Sequence, residues 1–307
     1  MHELPLITTM AAAFTAAWVL GLITQRLGLS PIVGYLLAGI VIGPYTPGFV
    51  ADATLAAQLS EIGVILLMFG VGLHFHLKDL LAVRNVALPG ALGQSLVATI
   101  LGCVVALAWG WPLKSGVVLG MALAVASTVV LIRVLMDNKL LDTTHGHVAV
   151  GWLIVEDVLT VVVLVLIPAM GAGAGGAGGA PAAGGVTWTL LIALLKLAAL
   201  VVILLLAGSR VIPWIMVSVA RLRSRELFTL TVLVMAIAVA AGSAYFFGAS
   251  MALGAFLAGM VVGQSPVSHQ AAADALPLRD AFAVLFFCAV GMLFDPMFLV
   301  HHPGLVQ

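Results

Sequence analysis

Charge is what this sequence has least of: Asp, Glu, Lys and Arg make up 8% of its 307 residues, where soluble domains carry about 25%. So few charges cannot cover a water-facing surface, and a soluble globular domain is excluded. The formal net charge is zero, so no basic surface points to nucleic acid. Cysteine is nearly absent. Cys103 and Cys288 both lie in apolar runs, are too few for a metal cluster, and read as small packing residues. Met1 to Pro5 lacks the basic n-region of a cleaved signal peptide, so the first apolar run is expected to be retained as a helix. What is abundant is apolar: 63% of residues are hydrophobic and the mean hydropathy is +1.26. The fold class expected is an all-α polytopic membrane protein.

Apolar runs of about 20 residues mark the spans. They fall at 5–25, 31–48, 56–76, 86–109, 115–136, 147–170, 187–208, 226–247, 250–264 and 279–300. Lys and Arg concentrate after the odd-numbered spans, at Arg26; Lys78 and Arg84; Arg133 and Lys139; Arg221, Arg223 and Arg225; and Arg279. The opposite side carries Lys114. Basic loops face the cytoplasm, so the expected topology is a multi-pass inner (plasma) membrane protein with its N-terminus outside. Val211 to Ala220 is expected to run along the inner surface after the seventh span. Gly171, Gly173 and Gly176 stand in GxGxxG spacing, but no strand precedes them and no helix follows at once, as a phosphate site requires. The stretch from Gly171 to Gly185 reads as an outer, flexible linker.

Two distant stretches repeat each other. Gly34 to Gly43 matches Gly254 to Gly263 at an offset of 220, and Leu59-Ser60-Glu61 with Val71-Gly72-Leu73 matches Leu278-Arg279-Asp280 with Val290-Gly291-Met292 at an offset of 219. Seven spans separate the copies, an odd number, so they cross the membrane in opposite directions. That is the inverted-repeat pattern of secondary transporters. The expected organisation is a first repeat over 1–170, a linker region over 171–224, and an incomplete second repeat over 225–307. Counterparts of spans four to six are missing, so the chain is expected to be a piece, or a shortened form, of a longer transporter.

Chemistry centres on Glu156 and Asp157, adjacent acids inside a run that is otherwise apolar from Val148 to Met170. A charge at mid-membrane costs roughly 3 kcal/mol on insertion scales and marks an ion or proton site by default. An acid at that depth is neutralised by a proton or by a cation, so the two compete for one oxygen cluster. Adjacent helical residues point about 100° apart, which argues against a shared-proton dyad. Asp157 is the expected carrier, and Glu156 faces a neighbouring helix or partner. Ser127 and Thr128 are mid-span hydroxyls of the fifth span; unwinding there would free carbonyls and helix ends to face an ion. Glu61 and Asp280 hold equivalent places in the repeat and are candidate gate or interface charges. Arg133, one turn past Val129, is expected to pair with an acid or to snorkel. His74 and His76, and His145 and His147, form HxH pairs at span edges that read as solvated loop histidines. His301 and His302 likewise read as loop, and no metal other than a transported monovalent cation is expected.

These stretches resemble the Kef-type monovalent cation:proton antiporters, closest to their YbaL-like branch. The resemblance is carried by Ser30 to Gly39, Gly63 to Leu73, Ala126 to Leu131, Gly151 to Asp157, Arg225 to Thr229 and Asp280 to Pro296. It implies a thirteen-helix fold with dimerisation and core domains, a homodimer in the lipid bilayer, and elevator-like alternating access. It implies that Asp157 carries K⁺ or Na⁺ and H⁺, K⁺ being favoured, and that Ser127 and Thr128 lie where the fifth helix unwinds. Family members vary at the position before the aspartate, here Glu156, so stoichiometry does not carry over. They continue into further helices and a nucleotide-binding regulatory domain, so no cofactor is expected within these residues. A gated K⁺ efflux path would need a filter of backbone carbonyls, and no TVGYG-like stretch is present. Intramembrane aspartyl hydrolysis would need a second facing aspartate, and Asp157 has no evident mid-span mate, so an enzyme is not expected. A truncated, non-transporting membrane protein is the other alternative.

Overall fold

A computed structural model of the protein describes residues 5–47, 51–171 and 185–296. Among the described residues the regular structure is helical: α1 (Pro5–Arg26), α2 (Pro31–Ile42), α3 (Ala53–Gly72), α4 (Leu77–Ala108), α5 (Leu113–Ala124), α6 (Thr128–Asp137), α7 (Thr144–Gly171), α8 (Gly185–Ile203), a π-helical turn (Leu204–Gly208), α9 (Ser209–Ala220), α10 (Arg225–Phe247), α11 (Met251–Gly263) and α12 (Ser268–Met292). Seven helical runs are long and apolar enough to cross a membrane, among them Leu113–Asp137 (α5 with α6) and Leu191–Ala220 (α8 into α9). α2 and α11 are shorter apolar helices. α7 has 28 residues, more than the ~20 that a bilayer requires. Each expected span thus has a helical counterpart, and the chain is an all-α polytopic membrane protein. Most of the Gly-rich linker, the N-terminal Met1 to Leu4, and His301 with His302 lie outside the described residues.

Local chemistry sets the helix starts. Ser30 caps α2 ahead of Pro31, and Ser224 and Ser250 cap α10 and α11 by accepting from Leu227 N and Leu253 N; each hydroxyl satisfies a backbone donor that has no partner in the first turn. Asp52 does the same for α3, its Oδ1 accepting from Thr54 N at 2.8 Å and Leu55 N at 3.0 Å. α10 ends at Gly248, whose φ of +69° is left-handed, a conformation that glycine adopts without a Cβ clash.

Several expected boundaries move. α4 starts at Leu77 rather than 86 and α12 at Ser268 rather than 279, because polar first turns are good helix but poor hydropathy signal. Arg279 is therefore not a loop cation. It sits inside α12, 6% exposed, and leaves the loop tally that sets orientation. The second span ends at Ile42 instead of 48, before Pro44 can continue it. Val211 to Ala220 lies in α9, which the π turn joins directly to α8.

The chain packs as two units, residues 1–70 with 270–307, and residues 71–269. In the first, Ala13, Ala17, Ala38, Ile42, Leu285, Cys288 and Met292 form a core between α1, α2 and α12, which accounts for Cys288 as a packing residue. A Cβ on Gly291 would run into the Leu36 carbonyl oxygen, and one on Gly43 would stand 3.1 Å from Met292 Cα. In the second unit a Cβ on Gly72 would run into the Phe256 carbonyl oxygen, and one on Gly263 would stand 3.2 Å from Leu73 Cα. Positions 219 or 220 apart in sequence make the same backbone contact.

The second unit also seats the broken helix. Gly116, Gly120 and Ala124 form the buried stripe of α5, and a Cβ on Gly120 would run into the Thr99 carbonyl oxygen of α4. Small residues every fourth position let membrane helices approach this closely, where dispersion takes the place of a hydrophobic driving force.

Candidate ion site

The helix expected over 115–136 is interrupted. α5 stops at Ala124, α6 starts at Thr128, and residues 125–127 are non-helical. No proline or glycine causes this. A break strands backbone groups that a continuous helix would pair, so these groups need partners from elsewhere. Ser127 supplies one as the N-cap of α6, its Oγ accepting from Val130 N at 3.4 Å. α7 supplies another: Glu156 Oε2 accepts from Ala126 N at 3.3 Å. α4 supplies a third, Gln94 Nε2 donating to the Ala124 carbonyl at 3.5 Å.

Glu156 is 3% exposed. Its Oε1 accepts from Trp152 Nε1 at 3.1 Å, so both oxygens are engaged. The Trp152 indole N–H also points to Gln94 Oε1. The ring lies over α4 at Gly90, where a Cβ would collide with it. Trp152 and Glu156 are four apart and share one face of α7.

Asp157 lies on the next face, half-buried, one and two turns beyond the buried Leu153 and Val150. Its carboxylate makes no hydrogen bond or ion pair among the described residues. Adjacent acids on one helix thus differ in kind: one is bound to the chain on both oxygens, the other keeps its oxygens uncommitted. Ser127 is exposed and Thr128 half-buried at the start of α6. An apolar cavity of about 440 Å³ opens beside the break, lined by Leu96, Thr99, Met121, Val125, Glu156 and Leu159 among others.

The remaining candidates fall elsewhere. Glu61 on α3 and Asp280 on α12 are exposed and belong to the first unit. Asp280 Oδ1 accepts from Arg279 Nε and Nη2 at 3.1 and 3.0 Å. Arg133 pairs with an acid of its own helix, Nε to Asp137 Oδ1 at 3.2 Å. His147 stacks edge-on against Phe75, ring centroids 5.1 Å apart. Among the described residues no three His, Cys, Asp or Glu side chains gather as a metal site requires. Gln94 and Trp152 were not expected at the site. The signal for Gln94 was available, since a single amide inside an apolar span is itself a functional flag.

A family model described as the transmembrane sodium/hydrogen exchanger matches residues 10–307. The YbaL protein of Escherichia coli (strain K12), whose name describes a cation/proton antiporter, is 53% identical over 302 residues, 98% of this chain and 54% of that protein. A protein encoded in the phaC 3' region of Methylorubrum extorquens is 52% identical over 274 residues, 87% of this chain and 99% of that one. K(+) efflux antiporter 4 of Arabidopsis thaliana is 32% identical over 305 residues, 98% of this chain and 50% of that protein. The chain therefore spans about half the length of two of these relatives.

Proposed function

The chain belongs to the sodium/hydrogen exchanger family, and from that premise we propose that the protein it forms exchanges a monovalent cation for protons across the inner membrane, with K⁺ preferred to Na⁺. The cation class is supported by the names of the relatives, a cation/proton antiporter and a K(+) efflux antiporter. The observation that carries the reading is the interrupted helix at 125–127, bonded through Glu156 to α7, where Asp157 makes no hydrogen bond or ion pair among the described residues. Half-helix ends and freed carbonyls are what a membrane protein uses to hold an ion at mid-depth.

In this reading Asp157 is the carrier. When deprotonated it takes the cation; when the cation leaves, a proton neutralises the carboxylate. Ser127 and Thr128 line the approach from the start of α6, and Glu156 adjoins the site through the unwound backbone. Glu61 and Asp280 act as gate or interface charges of the first unit. The N-terminus faces outside, and the protein works as a homodimer of thirteen-helix subunits, of which these residues form the first repeat and part of the second. The repeat is supported by the shared contacts of Gly72 with Phe256 and of Gly291 with Leu36.

Proteoliposomes holding the full-length protein, with a preset pH gradient, provide the test. K⁺ or Na⁺ should collapse the gradient, and Asp157→Asn should abolish that collapse while leaving the protein folded. Exchange unchanged in Asp157→Asn would refute the assignment of the carrier.

A further inference from the structure

We propose that Gln94 and Trp152 are positioning residues that hold the unwound stretch 125–127 in its ion-binding shape, acting through Glu156. The inference rests on the antiport reading above and deepens it. Its ground is a closed circuit of hydrogen bonds in one packed unit. Starting at one flank of the break, the Ala124 carbonyl accepts from Gln94 Nε2 at 3.5 Å. The Gln94 Oε1 accepts from the Trp152 indole N–H. The same N–H points to Glu156 Oε1 at 3.1 Å. Glu156 Oε2 accepts from Ala126 N at 3.3 Å, on the other side of the break. The circuit thus bridges α4, α7 and both edges of the gap.

Each member is matched to its place. An indole nitrogen only donates, and a carboxylate only accepts, so the direction of the Trp152–Glu156 bond cannot reverse. Gln94 offers one acceptor and one donor side, and both are used, which fixes its amide orientation. Gly90 makes room for the ring: with any Cβ there, the ring could not lie against α4. Without the strap, the Ala126 N–H and the Ala124 carbonyl would be left to fold back into a helix or to seek water. Either change moves the backbone oxygens that face the ion.

A positioning residue predicts a split that a merely structural one does not. In proteoliposomes of the full-length protein, Trp152→Phe keeps the ring on Gly90 but removes the donor, and Gln94→Leu detaches Ala124. Each should raise the half-saturating K⁺ or Na⁺ concentration about five- to tenfold, leaving the maximal rate within about twofold, by analogy with lost polar contacts of modest strength in membranes. The double variant should lose little more than the worse single one, since members of one network do not add. Half-saturation unchanged in both single variants, with maximal rate lowered, overturns the inference. Amide hydrogen exchange over residues 120–130 gives a second reading that needs no transport: protection at Ala126 should fall in both variants, and wild-type protection in both would overturn the strap. The two readings fail separately. Exchange that ignores Asp157→Asn removes the carrier assignment, whereas exchange lost in Asp157→Asn beside unaffected strap variants removes only the strap.

Discussion

Gly291→Ala tests the packing at one of its tightest described points. A methyl group there would be driven into the Leu36 carbonyl oxygen and would stand 3.1 Å from Gly39 Cα. Both neighbours are backbone, so no side chain can swing aside and α12 must move away from α2. Over-packing of this kind costs about 1–3 kcal/mol. Loss of any Cα–H···O contact between the helices adds about 0.5–1 kcal/mol. At roughly 2–4 °C per kcal/mol, the apparent melting temperature in detergent should fall by about 3–16 °C. Gly72→Ala meets the Phe256 carbonyl in the same way and should fall by a similar amount. Gly93→Ala is the control. A Cβ at Gly93 meets nothing within 4 Å, and Ala is about 1 kcal/mol the better helix former, so this variant should melt at or above wild type. Scanning fluorimetry on all three variants decides. A wild-type melt for Gly291→Ala, or a fall as large for Gly93→Ala, would refute close backbone packing as the cause.

Asp52 lies at the mouth of α3, outside the spans, and the N–H groups of Leu55 and then Thr54 hold its carboxyl below the usual carboxylate range. A depressed folded pKa stabilises above the unfolded value and is lost as pH falls through the folded one, so the stability gap between wild type and Asp52→Asn should be flat near neutrality and close below about pH 4; melting curves from pH 7 to pH 3 check it, and a gap that widens in acid contradicts the cap. Cys288 is 1% exposed within a core cluster while Cys103 is half-buried, so a membrane-permeant maleimide followed by mass spectrometry should label Cys103 well before Cys288.

How much of this was legible depends on the range of the interaction. The class follows from apolar run length, a local property, and each apolar run has a helical counterpart, seven of them long enough to cross a membrane among the described residues. Boundaries at Leu77 and Ser268 were missed because hydropathy is blind to a polar but helical first turn. The divergence of Glu156 and Asp157 needed only helical geometry, and the two side chains do have separate surroundings. The break after Ala124 was expected from hydroxyls alone, since neither proline nor glycine marks it. What holds it open lies about 30 residues away on either side, at Gln94 and Glu156. No window of sequence contains both, and nothing in the periodicity of α4 or α7 says that they meet there. Arg133 was legible in part: its partner is four residues on, at Asp137, the spacing that helix geometry favours.

Glu156→Gln separates two roles that sequence alone leaves together. If Glu156 carries a proton or cation, removing its charge changes how many protons move per cation. If it acts on the backbone, charge matters less than the count of acceptors. The carboxylate accepts from Ala126 N and from Trp152 Nε1 on different oxygens. A glutamine has one acceptor oxygen, and its amide group must face one of those donors. One bond is kept and one becomes a donor–donor contact, so the variant should resemble Trp152→Phe: a higher half-saturating cation concentration, folded protein, and unchanged stoichiometry. Measuring the reversal potential of exchange in proteoliposomes under imposed voltage reads the stoichiometry directly. A shift in that potential in Glu156→Gln would make both acids carriers. An unshifted potential, with weakened cation binding, assigns the ion to Asp157 and the shape of its site to Glu156.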